Sequence, residues 1–222
     1  MTDYTATRAR VEDYFDRTAT SVWARLTSDA PVSRIRETVR QGRDTMRALM
    51  LSRLPTDLSG MRVLDAGCGT GLMTAELARR GAQVLAVDIA PHLIAIAKAR
   101  LPEDLAHAVR FESGDMLSDD LGRFDYVVAM DSLIYYALPD VVSAVTRLGA
   151  RTSQAVVFTT APRTVLLQAL FTAGKLFPRA DRSPVMIPQS HRALGAASGG
   201  RVSRVARVNR GFYISECLEY RA

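Results

Sequence analysis

The chain has 222 residues, of which 48% are hydrophobic, and this length is enough to bury one sizeable core. It has no run of about 18 or more apolar residues, and its N-terminus lacks the basic and apolar regions of a secretory signal, so we expect a cytosolic protein without a transmembrane helix. The net charge is +6, and the two scattered cysteines indicate neither a disulfide scaffold nor a metal site.

The first 59 residues are predicted to form a helical arm or lid, because apolar residues follow helical spacing from about Ser33 onward. A cluster of helix-breaking residues at 55–60 ends this arm. Residues 60–222 are predicted to form the core domain, with 162–200 as an insertion on the substrate side.

Strands and helices alternate after residue 60, which predicts a parallel sheet covered by helices on both faces. The predicted strands are 61–65, 83–87, 109–112, 124–129 and 155–159, with helices at 72–80, 91–100 and 138–148. An apolar helix at 162–177, a proline-rich loop at 178–188 and a short polar helix up to about residue 200 should then follow. Two more strands are predicted at 201–208 and 211–220. We predict a turn longer than two residues between these strands, although arginines spaced by three there also fit a helix. The expected fold is α/β: a doubly wound, mostly parallel seven-stranded sheet with an N-terminal helical arm and an insertion between strands five and six.

A glycine-rich turn with the sequence DAGCGTG lies between the first strand and its helix. Its three glycines, Gly67, Gly69 and Gly71, permit a tight turn and let the backbone approach a ligand closely. A dinucleotide site would need glycine at the position of Leu72, and Asp65 at the end of the strand disfavours a pyrophosphate. The turn therefore predicts a nucleoside-like ligand with a positive charge nearby, as S-adenosylmethionine has.

Acidic residues follow the next three strands. Asp88, with Ile89 beside it, ends the second strand, where a carboxylate can accept both hydroxyl protons of a ribose. Asp115 follows the third strand and can accept from an adenine amino group, with Met116 packed on the ring. Asp131 follows the fourth strand and completes the predicted cofactor site. Taken singly, Asp88 could instead cap a helix, and Met116 could belong to the core.

Together these elements resemble the class I methyltransferase pattern, over roughly residues 60–160. Segments around them resemble the magnesium protoporphyrin IX methyltransferase family, in particular its bacteriochlorophyll-pathway members: YFDRTA, WARL and RQGR in the arm, DSLIYY after the fourth strand, and GKLFPR and DRSP in the insertion. The resemblance implies transfer of a methyl group from S-adenosylmethionine to one propionate of Mg-protoporphyrin IX in (bacterio)chlorophyll biosynthesis. The products would be the monomethyl ester and S-adenosylhomocysteine.

The implied chemistry needs no general base, because a propionate is already ionised at pH 7 and is itself the nucleophile. We expect direct in-line displacement in a site that aligns the reacting atoms and removes water from them. The resemblance makes Tyr14 and Tyr135 the candidates for positioning the substrate. Chlorophyll-branch relatives commonly have histidine in place of Tyr135, and tyrosine is a poor ligand for porphyrin magnesium, so we predict no metal ligand. Arg40 is expected to pair with the methionyl carboxylate of the cofactor, or else to lie on a solvated helix face.

A tetrapyrrole also needs a broad apolar slot, for which the candidate stacking surfaces are Tyr14, Trp23, Phe171 and Phe177. Taken residue by residue, ordinary core packing is the more common role for each of them. The resemblance implies contact with the magnesium chelatase subunit that delivers the porphyrin. From residue 178 onward, 8 arginines face 3 acidic residues. This basic C-terminal segment, with Arg179 and Arg182, predicts peripheral contact with the inner membrane.

Two other functions are open on the sequence alone. An O-methyltransferase acting on a phenol, such as a quinone precursor, would need a base or metal near the fourth strand, where only Asp131 is available. A nucleic-acid-binding protein would account for the basic C-terminal segment. It is disfavoured because the sequence lacks zinc-ligand spacing and aromatic residues interleaved with the arginines, so we expect no nucleic-acid partner.

Overall fold

Seven strands form one sheet in the computed structural model, which describes residues 4–18, 20–28, 31–163 and 184–221. The strands are β1 (Arg62–Ala66), β2 (Gln83–Asp88), β3 (Val109–Ser113), β4 (Phe124–Ala129), β5 (Thr152–Thr160), β6 (Val202–Arg210) and β7 (Tyr213–Arg221). Their order across the sheet is β3-β2-β1-β4-β5-β7-β6; β1 to β5 are parallel, and β7 runs antiparallel to β5 and β6. This confirms the predicted doubly wound, mostly parallel sheet.

Helices cover both faces of this sheet. They are α1 (Tyr4–Asp13), a π-helical segment (Tyr14–Thr18), α2 (Thr20–Leu26), α3 (Arg34–Leu51), α4 (Leu72–Arg79), α5 (Pro91–Arg100), α6 (Leu138–Ala150) and α7 (His191–Ala197), with short 3₁₀ turns at Glu103–Ala108 and Asp119–Leu121. The start of α3 lies where the sequence places it, because Ser33 Oγ accepts a hydrogen bond from the backbone N–H of Arg36 at 3.4 Å. The predicted N-terminal helical arm is therefore present.

Successive residues of β1 face two apolar clusters, one on each side of the sheet. Leu64 belongs to the cluster that contains the buried face of α6 together with Val11 and Phe15 of the arm. Val63 belongs to the opposite cluster, which α3 and α4 cover through residues such as Met46. Because both faces are buried, the functional side chains are left at the strand ends.

The connection between β6 and β7 corrects one prediction. Arg210 pairs directly with Tyr213, which leaves Gly211 and Phe212 as a two-residue turn instead of the longer one expected. Gly211 has a φ of +58°, which glycine adopts at little cost. The pairing of β6 and β7 continues through Asn209 and Arg210, beyond the valines from which the end of the strand was predicted.

Part of the predicted insertion lies outside the described residues. This applies to most of the apolar helix at 162–177, to the beginning of the proline-rich loop, and to Phe171, Phe177, Arg179 and Arg182. The division into an arm of 1–59, a core of 60–222 and an insertion of 162–200 stays a prediction. No helix within the described ranges is both long enough and apolar enough to cross a membrane.

Candidate active site

The strand order of the sheet reverses between β1 and β4, and the carboxyl ends of the strands open there into a cleft. The cavity in this cleft measures about 1030 Å³ with its open mouth included. Its wall contains most of the residues predicted for the site: Asp65, Gly67, Gly69, Asp88, Ile89, Asp115, Met116, Asp131 and Tyr135. Residues that follow four different strands are thus brought together around one space.

The glycine-rich turn is held against the end of β2. The backbone N–H of Gly67 donates to the carbonyl of Val87 at 2.8 Å, and that of Gly69 donates to Asp88 Oδ2 at 2.8 Å. Gly67 has a φ of +84°, and a Cβ atom there would lie 2.4 Å from the Cβ of Ser132. Glycine is therefore required at this position by the backbone conformation and by close packing on the loop after β4.

Asp88 holds two backbone segments at once. While its Oδ2 accepts from Gly69, its Oδ1 accepts from the backbone N–H of Ala90 at 2.9 Å. Burial raises the pKa of this carboxyl, although the backbone hydrogen bonds oppose the shift. A carboxylate has about four acceptor sites, so Asp88 can fix the turn and still accept from a hydroxyl group of a ligand.

Asp65 lies in the cavity wall with only 1% of its surface exposed. Thr74 Oγ1 donates to its Oδ2 at 2.6 Å. Burial raises the pKa of Asp65 to about 7, against the opposing effect of this hydrogen bond. Within the described ranges no cationic side chain contributes to the pKa of Asp65 or Asp88. Two desolvated carboxylates without a protein cation favour a positively charged ligand, which fits the sulfonium cofactor predicted from the turn.

Helix α1 contacts the site from the opposite side, through Asp115. The Tyr4 hydroxyl donates to Asp115 Oδ1 at 2.8 Å, and Arg8 Nη1 donates to Oδ2 at 2.8 Å. Burial alone would raise the pKa of Asp115, but hydrogen bonds from Leu117, Tyr4 and Arg8 outweigh it and hold this pKa below its ordinary value. The Tyr4 ring also stacks on Tyr136, with the centroids 4.9 Å apart. The arm is thus anchored directly to the loop predicted to bind adenine.

The loop after β4 carries a charged network around Asp131, which has a left-handed backbone with φ of +56°. Arg43 Nη1 donates to Asp131 Oδ2 at 2.5 Å, and the Tyr213 hydroxyl donates to Oδ1 at 3.1 Å. The guanidinium of Arg43 also lies 4.7 Å from the centre of the Trp23 ring. A Cβ atom at Gly42 would lie 2.6 Å from the Cβ of Tyr213, so this glycine lets α3 approach closely enough to place Arg43 in the cavity wall.

Tyr135 lies in the same wall with 8% of its surface exposed, and its ring centre is 5.9 Å from that of Phe15. Burial raises the pKa of Tyr135 well above its ordinary value, and the nearby Asp131 carboxylate raises it further. The phenol therefore stays protonated and can donate a hydrogen bond.

In the described part of the chain there is no cluster of three or more His, Cys, Asp or Glu side chains that could hold a metal ion.

Three residues predicted for the site do not line the cavity. Gly71 is the N-cap of α4, with a φ of +85°. Tyr14 lies one layer further out, with its ring centre 5.1 Å from that of Phe15. Arg40 Nε donates to the carbonyl of Leu26 at 3.1 Å, which ties α3 to the end of α2. Arg43, not Arg40, is the residue of this segment that reaches the cavity.

Sequence reasoning missed the cationic and phenolic residues that the arm contributes: Tyr4, Arg8, Arg43 and Arg47. Tyr4 and Arg8 are four residues apart, as are Arg43 and Arg47, so each pair lies on one face of its helix. This spacing is the feature of the sequence that could have indicated them. That spacing does not identify partners such as Asp115 and Asp131, which lie 107 and 88 residues away from Arg8 and Arg43.

Comparisons with known proteins agree with this geometry. Residues 63–152 match a family model described as a methyltransferase domain, and residues 129–222 match one described as the C-terminus of magnesium-protoporphyrin IX methyltransferase. The chain is 63% identical to the magnesium-protoporphyrin O-methyltransferase of Rhodobacter capsulatus, over 99% of this chain and 98% of that protein. A ubiquinone biosynthesis O-methyltransferase of Xanthomonas oryzae is 40% identical, but over only 43% of this chain and 39% of its own.

Among solved structures, the magnesium protoporphyrin IX methyltransferase of Synechocystis PCC 6803 with bound SAH is similar over 99% of this chain and 100% of its own. The TM-score is 0.80 at 27% sequence identity. The similarity therefore extends across the whole chain and is not confined to the cofactor-binding half.

Asp65 should make the unfolding free energy of the ligand-free protein depend on pH. The pKa of this carboxyl is about 7 in the folded state against an ordinary value of 3.8, so the folded protein binds the additional proton between these values. Its contribution to stability is therefore complete below about pH 4 and is lost as the pH rises through about 7. A shift of about 3 pKa units is worth roughly 4 kcal/mol, so we expect Asp65→Asn to remove this dependence and to exceed the wild type at pH 8 by up to about this amount in urea unfolding.

The matched control is Asp120→Asn, because the side chain of Asp120 is exposed. This variant should follow the wild-type stability at every pH. If the stabilities of the wild type and Asp65→Asn instead ran parallel from about pH 4 to about pH 8, Asp65 would not be a strained buried carboxyl.

Proposed function

The chain belongs to the magnesium protoporphyrin IX methyltransferase family, and from that premise we propose that it transfers the methyl group of S-adenosylmethionine to a propionate of Mg-protoporphyrin IX. The products are the monomethyl ester and S-adenosylhomocysteine. The observation that carries this proposal is the 63% identity to the Rhodobacter capsulatus enzyme across 99% of the chain. The matches to ubiquinone biosynthesis O-methyltransferases of Xanthomonas oryzae and Methylocella silvestris cover 43% and 54% of the chain, so they support the shared cofactor domain and not a phenolic acceptor.

The proposed cofactor site uses the acidic ends of the strands. Asp88 accepts from the ribose hydroxyls, Asp65 accepts from the ammonium group of the methionyl part, and Asp115 with Met116 receives the adenine. Supporting this arrangement, Asp65 and Asp88 are buried without a cationic partner in the described part of the chain. A bound cation lowers the pKa of Asp65, so cofactor binding near pH 7 should be accompanied by proton release.

Arg43 is proposed to receive the methionyl carboxylate, in place of Arg40. Its guanidinium lies in the cavity wall and is oriented by Asp131 and the Trp23 ring. A planar guanidinium held on one edge can still bind a carboxylate with its other edge. Arg40 is engaged with the carbonyl of Leu26 and is not part of the cavity wall.

The proposed mechanism needs alignment and water exclusion, not proton transfer. S-adenosylmethionine supplies an electrophilic methyl group on a sulfonium, and the propionate is ionised at pH 7. Tyr135, which keeps its proton, donates a hydrogen bond that orients the propionate, and the apolar rings of Phe15 and Trp23 exclude water. Asp131 accepts from Arg43, Tyr213 and Thr159, so its role is to orient these groups.

The proposal extends to two partners that family membership implies: the porphyrin-binding subunit of magnesium chelatase, and peripheral contact with the inner membrane. The basic C-terminal segment supports contact with an anionic surface. Phe212 at the β6–β7 turn, with 65% of its surface accessible, supports membrane contact in another way, because an apolar ring can insert into the membrane interface.

The activity is tested by incubating the purified protein with Mg-protoporphyrin IX and methyl-labelled S-adenosylmethionine, and separating the porphyrin products. We expect label in a monomethyl ester and none in a quinone-precursor phenol offered in parallel. Labelling of the phenol without ester formation would overturn the assignment in favour of a phenol O-methyltransferase.

Two arginines three residues apart on α3 provide a matched pair for the cofactor site. Arg43→Gln should raise the KM for S-adenosylmethionine about tenfold or more, because it removes a charge-assisted hydrogen bond to the carboxylate. Arg40→Gln should change this KM less than about twofold, although it can lower the melting temperature by loosening the contact between α2 and α3. If Arg40→Gln raised the KM and Arg43→Gln did not, the sequence-based prediction that Arg40 binds the methionyl carboxylate would be correct.

A further inference from the structure

The loop after β3 is held by two arginines, Arg147 in the last turn of α6 and Arg151 at the C-cap of this helix. Arg151 donates from Nη2 to the carbonyl of Met116 at 2.7 Å and from Nη1 to the carbonyl of Ser118. Arg147, one helical turn earlier, donates from Nη2 to the carbonyl of Leu117 at 2.9 Å. Three consecutive carbonyls of the loop are therefore bound by guanidinium groups from one helix.

These contacts of Arg147 and Arg151, here called the arginine clamp, act on the same loop that supplies Asp115 and Met116 to the cavity. Inside the loop, the backbone N–H of Leu117 donates to Asp115 Oδ1 at 2.9 Å, and that of Ser118 donates to the carbonyl of Asp115 at 2.9 Å. The backbone at 117 and 118, whose carbonyls the arginines hold, therefore orients Asp115 together with Tyr4 and Arg8, which donate to its carboxylate from the other side. A displacement of these carbonyls would turn the carboxylate away from its present direction.

The two arginines are held rigidly because helix α6 is itself held rigidly. Helix α6 is anchored in the core by Val141, Val145 and Leu148, all of which are fully buried. The Arg151 side chain is half-buried, and this burial lowers the pKa of its guanidinium. Hydrogen bonds from a partly desolvated, planar guanidinium to two carbonyls are short and directional, so they fix the loop more tightly than a solvated lysine would.

We propose that Arg151, assisted by Arg147, is a positioning residue for recognition of the cofactor's adenine. It touches no ligand; it acts through the loop, by aiming Asp115 at the 6-amino group and Met116 at the ring face. The inference rests on the proposed function in taking an adenosyl cofactor as the ligand of the cavity, with its adenine at Asp115 and Met116.

The test measures binding of two probes that differ at one purine position. S-adenosylhomocysteine has the 6-amino group that donates to Asp115, whereas S-inosylhomocysteine has a carbonyl there. We expect the wild type to bind the adenosyl compound at least about tenfold more tightly. Arg151→Gln should weaken binding of S-adenosylhomocysteine about tenfold and that of S-inosylhomocysteine much less, so that the ratio falls towards one. Arg151→Lys should restore part of the ratio.

Arg80→Gln is the matched control, since Arg80 Nη1 donates to the carbonyl of Leu51 at 2.7 Å, outside the cofactor loop. It should lower the melting temperature without changing the ratio of the two dissociation constants. An unchanged ratio in Arg151→Gln, or a wild type that does not discriminate between the probes, would overturn the proposal. Should Arg151→Gln not fold, Arg147→Gln must show a smaller fall of the same ratio, because it removes only one loop contact.

Neither probe requires a methyl acceptor. Lack of ester formation would therefore count against the proposed function alone, and an unchanged probe ratio would count against the role of Arg151 alone.

Discussion

Two carboxylates that have lost their water at the ends of β1 and β2 set the character of this protein's cavity. Asp65 and Asp88 are buried at the carboxyl ends of the neighbouring strands β1 and β2, next to the point where the strand order reverses, and the described residues give them hydrogen bonds but no cation. Such an arrangement is costly for the folded protein until a positive charge enters the cavity. The glycine-rich turn depends on the same groups, because Asp88 holds Gly69 in place and Gly67 packs on Ser132.

The second half of the site is built from opposite charges. Arg8 and Arg43 reach the cavity from the arm and meet Asp115 and Asp131, the acidic residues that follow β3 and β4. These pairs connect the arm to the core at the two loops that face the cavity. In the proposed binding mode the ammonium group lies beside Asp65 and the carboxylate beside Arg43, and these are the two ends of an amino acid. That pairing of charges explains why a methionine-derived cofactor suits the cavity better than a dinucleotide with its pyrophosphate.

Much of this could be predicted from the sequence, because the alternation of strands and helices and the glycine-rich turn are local patterns. The acidic residues at the strand ends follow from the same reading, since parallel strands place their carboxyl ends at one edge. The choice between Arg40 and Arg43 could not be predicted in this way. Residues three apart differ in direction on a helix, and which one faces the cavity depends on Gly42 packing against Tyr213, a contact across most of the chain. The same applies to Tyr4, whose partner Asp115 is 111 residues away.

The central claim is that the methyl group passes directly to a carboxylate that is already ionised, while the protein orients and desolvates the reactants. It is tested most directly by kcat measured from about pH 6 to about pH 9 with both substrates saturating. We expect kcat to be independent of pH over this range. Any change near pH 7, where Asp65 titrates, should be confined to the KM for the cofactor. A kcat that rises about tenfold per pH unit through this range would show that a base must first remove a proton, and would contradict the account.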